Sequence, residues 1–215
     1  MRNFRDYWKN RKINWEQAYW NLDHPHRKMI VNILKEFEIR AVCEIGCASG
    51  ANLYLIKKQF PQATIAGCDL NKDAIDTAKE MFKGMEHYPK KDKCLDVPDE
   101  IEFRVGDIKS IPFNGEAYNL VMTDACLIYQ GSKEMFRVFR ELRRIGYEKF
   151  LFCEFHSKSW WRRLILKLTT GYNAYDYEKL LQEHHFKYIK INKIPKEVWS
   201  GRPWEEFGHI ITCIR

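Results

Sequence analysis

The 215-residue chain has no apolar run near the roughly 18 residues of a membrane-spanning helix, which excludes a helical integral membrane protein. Residues 1–28 are charged and aromatic and lack the apolar core of a secretory leader, so the cytoplasm is the expected compartment. The seven cysteines, at 43, 47, 68, 94, 126, 153 and 213, are odd in number and contain no Cys-x-x-Cys pair. Neither a disulfide framework nor a metal site is therefore read, and reduced, mostly buried thiols are expected. Internal repeats and low-complexity tracts are also missing.

What remains suits one core. A chain with 45% hydrophobic and 14% aromatic residues can bury a sizeable interior but is short for two, so a single domain over 1–215 is expected. The net charge of +7 is unevenly placed. Residues 1–28 hold seven Lys/Arg against three Asp/Glu, and 157–168 hold four against none. Such patches suit an anionic substrate, nucleic acid or a membrane surface, and equally a solvated basic face.

The stretch Ala41 to Ala51 organises the rest. Val42, Cys43 and Ile45 read as a strand, Glu44 stands beside Gly46, and Gly46 with Gly50 bracket a turn. Leu53, Ile56 and Phe60 then recur at helical spacing, so the turn feeds a helix N-terminus with unpaired N–H groups. Further strands are read at Thr64 to Cys68, Ile101 to Val105, Tyr118 to Thr123 and Phe150 to Phe155. Two more, Phe186 to Ile194 and His209 to Ile214, flank a loop with Trp199, Gly201, Pro203 and Trp204. Helices are expected between the first five strands, with Asn71 and Asp176 as caps and 132–144 as one of the helices. A long surface connection is read over 83–100, and a helical aromatic segment over 1–28. The alternation predicts an α/β fold with a seven-stranded, mostly parallel sheet.

Each of the first four strands ends in an acid: Glu44, Asp69, Asp107 and Asp124. Acids are poor strand residues, and ligands of open parallel sheets sit outside the carboxyl ends of the strands. Asp69 is one strand-helix-strand crossing beyond Glu44, where a carboxylate can accept both hydroxyls of a ribose. Asp107 suits an exocyclic adenine amine, with Ile108 pressing on the ring. The turn lacks the Gly-x-Gly-x-x-Gly spacing of nicotinamide folds, and Glu44 would repel a pyrophosphate. The corner therefore suits a cationic or neutral nucleoside.

Glu44-Ile45-Gly46-Cys47-Ala48-Ser49-Gly50 resembles the first motif of the class I S-adenosylmethionine-dependent methyltransferases, with Ala48 where a glycine is common. The resemblance extends through Asp69-Leu70-Asn71, Gly106-Asp107-Ile108 and Asn119 to Asp124, and covers roughly residues 30–215. It implies a Rossmann-like, doubly wound sheet with an antiparallel last strand, and S-adenosylmethionine as cofactor. Glu44, Gly46, Cys47, Ala48 and Gly50 would meet the methionine part. Asp69 and Leu70 would meet the ribose, Asp107 and Ile108 the adenine, and Thr123, Asp124 and Ala125 the wall beside the sulfonium. Leu127-Ile128-Tyr129 resembles a Leu-Ile-His stretch in methyltransferases of surface-sugar biosynthesis clusters, with Tyr129 in place of the histidine.

Methyl transfer needs an in-line nucleophile and exclusion of water, and a hydroxyl acceptor benefits from a base. His156 is the first candidate base, Asp124 the second, and Tyr129 occupies a third position. His24 and His26 would reach the site only if 1–28 folds as a lid. Trp160 and Trp161, in the acceptor-side segment 157–175, are read either as a cover for the acceptor or as core. No Asn/Asp-Pro-Pro-Tyr or Pro-Cys follows the fourth strand, which disfavours nucleic-acid bases as acceptors. The expected acceptor is a small molecule or glycan methylated on oxygen. Nucleic acid, a silent cofactor-binding module and a peripheral membrane contact stay open as alternatives.

Overall fold

The structure, a computed structural model, describes residues 3–83, 85 and 101–215. The connection read over 83–100 lies almost wholly outside them, as does Cys94. Three short helices come first: α1 (Phe4–Lys9), α2 (Trp15–Tyr19) and α3 (Pro25–Leu34). Asn3 and Asn14 accept from first-turn N–H groups at the starts of α1 and α2, His24 stands at the N-cap of α3, and Pro25 opens α3 where its missing N–H costs nothing.

The sheet begins with β1 (Ala41–Ile45), α4 (Ala51–Gln59), β2 (Thr64–Asp69) and α5 (Lys72–Met81). Then come β3 (Ile101–Val105), β4 (Tyr118–Asp124), α6 (Met135–Ile145) and β5 (Gly146–Phe155). The chain closes with α7 (Trp160–Thr170), α8 (Tyr177–Glu183), β6 (Lys187–Lys193), α9 (Trp204–Phe207) and β7 (Gly208–Ile214). The strand order is β3-β2-β1-β4-β5-β7-β6, parallel through β5, with β7 antiparallel to both β5 and β6.

β1 and the interior of β4 are buried on both faces, which is why they read as continuous apolar runs and not as alternation. One core packs α6 through Met135, Val138, Phe139 and Leu142 against Val121, Phe150 and Phe152. The other packs Ile30, Leu34, Leu53, Ile56 and Ile75 of α3, α4 and α5 against Val42, Ile65 and Leu120. Two sequence readings need correction. The residues described between β3 and β4 form no helix; Ile108, Ile111 and Phe113 instead bury in that turn. β5 also starts at Gly146, four residues earlier than read, because Gly146 pairs with Tyr118 and a side chain there would meet Val121 and Phe150.

Strand order reverses between β1 and β4, so their carboxyl ends leave a crevice that no crossover covers. The site lies there.

Candidate active site

A cavity of about 460 Å³ opens above the ends of β1, β2 and β4. Its floor carries Glu44, Gly46, Ala48, Asp69, Asp107 and Asp124, and its roof Phe4, Trp8, Trp15, Tyr19, Tyr129 and Tyr172. Cys47, Leu70, Ile108 and Ala125 also reach it.

The turn after β1 takes its shape from backbone requirements. Gly46 has φ +80°, and a Cβ there would sit 2.7 Å from Cys126 Sγ. Ala48 holds φ +48°, a conformation costly for a residue with a Cβ, and its N–H donates to Asp69 Oδ2 at 3.0 Å. Asp69 Oδ1 accepts from Asn71 N–H at 2.8 Å. Burial raises the Asp69 pKa, and these backbone donors oppose the rise.

Below the turn, Asn52 of α4 bridges two acids. Its Nδ2 donates to Glu44 Oε1 at 2.7 Å and to Asp124 Oδ2 at 2.9 Å. Burial, reinforced by Asp124, lifts the Glu44 pKa to about 8. Burial works against the Asp124 charge too, but His26, Arg27 and Asn52 overcome it and hold that carboxyl far below the ordinary range. Glu44 Oε2 and Asp124 Oδ1 are buried acceptors without a donor among the described residues. A carboxylate floor with two unpaired oxygens fits a cation. The sulfonium and ammonium of S-adenosylmethionine meet that demand, and Asp69 keeps lone pairs for a ribose.

Histidines from the start of α3 enter the same floor. His26 Nε2 lies 2.9 Å from Asp124 Oδ2, and His26 Nδ1 lies 2.5 Å from His24 Nδ1. Trp199 packs on His26 with ring centroids 4.1 Å apart and stacks on Trp204 at 3.6 Å. Burial, then His26 and Arg27, lower the His24 pKa. Both histidines and both tryptophans line the cavity.

The roof is fastened by side chains that follow β2 and β3. Asn71 caps α5 with Oδ1, and its Nδ2 donates to the carbonyls of Trp8 at 2.8 Å and Arg11 at 2.9 Å. Arg5 Nε donates to Asp107 Oδ2 at 2.9 Å, and Lys12 Nζ meets Asp73 at 2.6 Å. Burial opposes ionisation of Asp107, but the Lys109 N–H and Arg5 prevail and lower its pKa.

Three expected residues do not reach the cavity. Gly50 has φ +82°, and the space beside it is filled by Phe82 and Phe103. Thr123 Oγ1 is turned to β5, where it donates to Glu154 Oε1 at 2.7 Å. Glu154 is fully buried and also accepts from the N–H groups of Cys126, Leu127 and Ile128, so it shapes the turn after β4. His156 Nδ1 accepts from Tyr177 N–H at 3.1 Å and its ring faces His209, which ties it into the α8 connection. Trp160 and Trp161 are exposed and stand off the cavity, whereas Tyr172 of the same segment lines it. Asn52, Arg27, Trp199 and Trp204 reach the site without having been picked from sequence. Only the position of Asn52, in the first turn of the helix after a glycine corner, carried a signal.

Comparison with known proteins agrees with this geometry. The family described as "Methyltransferase domain" matches residues 42–146. A malonyl-[acyl-carrier protein] O-methyltransferase of Priestia megaterium is 23% identical over 177 residues, covering 72% of this chain and 59% of that protein. A demethylmenaquinone methyltransferase of Thermotoga maritima is 22% identical, covering 59% of this chain and 47% of that protein. The chain thus spans between about half and three fifths of these two relatives. In structure it resembles the magnesium protoporphyrin IX methyltransferase of Synechocystis with bound SAH, with TM-score 0.62, 15% identity, and coverage of 99% of this chain and 93% of that one. That likeness establishes the fold. The match over residues 42–146, just under half of the chain, is to a methyltransferase domain.

Proposed function

We propose that the protein is a small-molecule O-methyltransferase in which the acceptor binds beneath the aromatic roof and His24 takes its proton. The chain Asp124, His26, His24 on the cavity wall carries this reading. In the tautomer set that satisfies the shorter contacts, His26 Nε2–H donates to Asp124 and His24 Nδ1–H donates to His26 Nδ1 at 2.5 Å, in place of the longer 3.4 Å approach of the His26 N–H to the same His24 nitrogen. His24 Nε2 is then a lone pair on a cavity-lining residue, oriented by a second group and backed by a buried carboxylate.

S-adenosylmethionine supplies an electrophilic methyl on a sulfonium. Glu44 and Asp124 would neutralise the cation, Asp69 would hold the ribose, and Asp107 would address the adenine. The roof excludes water and holds the acceptor oxygen in line. Methyl transfer to the hydroxyl oxygen would return the S–CH3 electron pair to sulfur, and His24 would take the hydroxyl proton.

The roof also speaks to the acceptor. Trp8 Nε1 and Trp15 Nε1 are buried donors without a partner among the described residues. An acceptor with carbonyl or hydroxyl oxygens and an apolar or sugar ring would pair with them and pack against the aromatic lining. Helices α1 and α2 cover the crevice, which favours a small molecule over a nucleic-acid strand. The relatives named for malonyl-[acyl-carrier protein] and demethylmenaquinone support the same class.

The test is a screen of metabolite and RNA fractions with methyl-labelled cofactor. Label in a small molecule, as a base-stable ether or a base-labile ester, supports the reading. Label confined to RNA, or cofactor binding with no labelled product, overturns it.

A further inference from the structure

Helix α7 is unlike the others. Trp160, Trp161, Leu164, Ile165 and Leu168 are large and apolar, yet between 47% and 74% of each is exposed. Only Leu166 of this helix is buried. At about 100° per residue the five exposed side chains fill one arc of about 140°, with Arg162 about 60° beyond one margin and Lys167 about 20° beyond the other. Leu166 falls on the far side, against the protein. A helix packed for a soluble surface carries its apolar residues inward; this one carries them outward between two cations.

The segment 157–170 has four cations and no acid. Lys158 pairs with Glu178, and Arg162 approaches Glu206 at 3.6 Å. Arg163 donates to the carbonyls of Ser157 and Lys158, which leave its charge uncompensated. A two-fold dimer through this face would set the Arg162 and Lys167 margins of both copies against each other. An anionic bilayer offers what the face requires: acyl chains for the arc, phosphates for its margins, and a headgroup layer in which tryptophan is at home.

We propose that α7 is an in-plane anchor that docks the protein on anionic lipid membranes, with its apolar arc about 5–10 Å into the headgroup boundary. The helix ends at Gly171, where Phe4 of the roof packs close, and the next residue, Tyr172, lines the cavity. The anchor therefore adjoins the aromatic rim of the site. The contact does not depend on the methyl-transfer reading, since it is scored without cofactor or acceptor.

The test is co-sedimentation of the full chain with vesicles of roughly three parts phosphatidylcholine to one part phosphatidylglycerol, and with phosphatidylcholine alone. Binding to the anionic vesicles is expected, weakened by high salt and by Lys167→Gln, and reduced about tenfold or more by Leu164→Glu with Leu168→Glu. The double variant should keep its circular dichroism and thermal midpoint, because both side chains are already in water. No binding to anionic vesicles, or binding that the double variant retains, overturns the proposal. So does a dimer in solution that the double variant disperses while vesicles bind neither form, which would give the face to a second copy.

Discussion

His26 Nε2 and Asp124 Oδ2 lie 2.9 Å apart, joining the first turn of α3 to the carboxyl end of β4 across 98 positions of sequence. Both side chains are almost fully buried, at 4% and 9% exposure. A histidine held by a buried carboxylate, with a second histidine on its other nitrogen, is an arrangement for moving a proton.

Replacing His24 by Ala is expected to lower kcat about 100- to 10,000-fold on a hydroxyl acceptor, with cofactor affinity unchanged. The pH profile adds a second check. The base form exists above the His24 pKa, which lies below its ordinary value, so activity should persist below about pH 6.5 before it falls. Titrating cofactor by calorimetry and measuring initial rates separates the two effects.

Glu44 predicts proton release. Free of ligand, with its pKa near 8, it is largely protonated at neutral pH, and a bound cation would drive it to ionise. Cofactor affinity should rise as pH climbs toward 8, and the binding enthalpy should differ between buffers of different ionisation enthalpy. Glu44→Gln should abolish both dependences. The same residue weakens the unliganded fold with rising pH. The folded state holds a proton that the unfolded state releases above about 4.3, so stability falls from there up to about pH 8.

Asp69→Ala is expected to weaken cofactor binding by about 1.5–3 kcal/mol, the usual range for hydrogen bonds to a charged group. The variant also loses the acceptor for Ala48 N–H, so its thermal midpoint should drop. Calorimetric affinity equal to that of the unmodified protein would contradict the ribose assignment.

Asn71 serves α5 and the roof at once, and two substitutions divide those duties. Asn71→Ala should cost about 0.5–2 kcal/mol through the lost cap. Asn71→Asp keeps a capping oxygen but loses the donor to the Trp8 and Arg11 carbonyls. It should leave most of the stability in place while speeding cofactor entry and exit, read by stopped-flow tryptophan fluorescence.

The strands and the acids at their ends were legible because they depend on neighbours in sequence. A run such as Val42 to Ile45 or Leu120 to Met122 is apolar on both faces, and only a doubly covered parallel strand uses such a run. The glycine corner was legible too, since Gly46 and Gly50 stand at positive φ, although packing against Cys126 and Phe82 is what keeps side chains out of them.

Placement of side chains was not legible. Thr123 and Asp124 are adjacent, and the pleat turns one to Glu154 and the other to the cavity. His156 looked available at a strand exit until Tyr177 of α8 took its Nδ1. His24, His26, Trp199 and Trp204 come from opposite ends of the chain and meet only because α3 and the β6–β7 connection close over the same crevice.

Periodicity and strand-end chemistry thus determined by themselves the sheet, the glycine corner and the acids that address it, since each rests on spacing within a few tens of residues. The tertiary structure alone decided which histidines line the cavity, what roofs it, and which helix turns its apolar residues outward. Those outcomes depend on contacts between segments far apart in the chain, and local sequence carries no record of them.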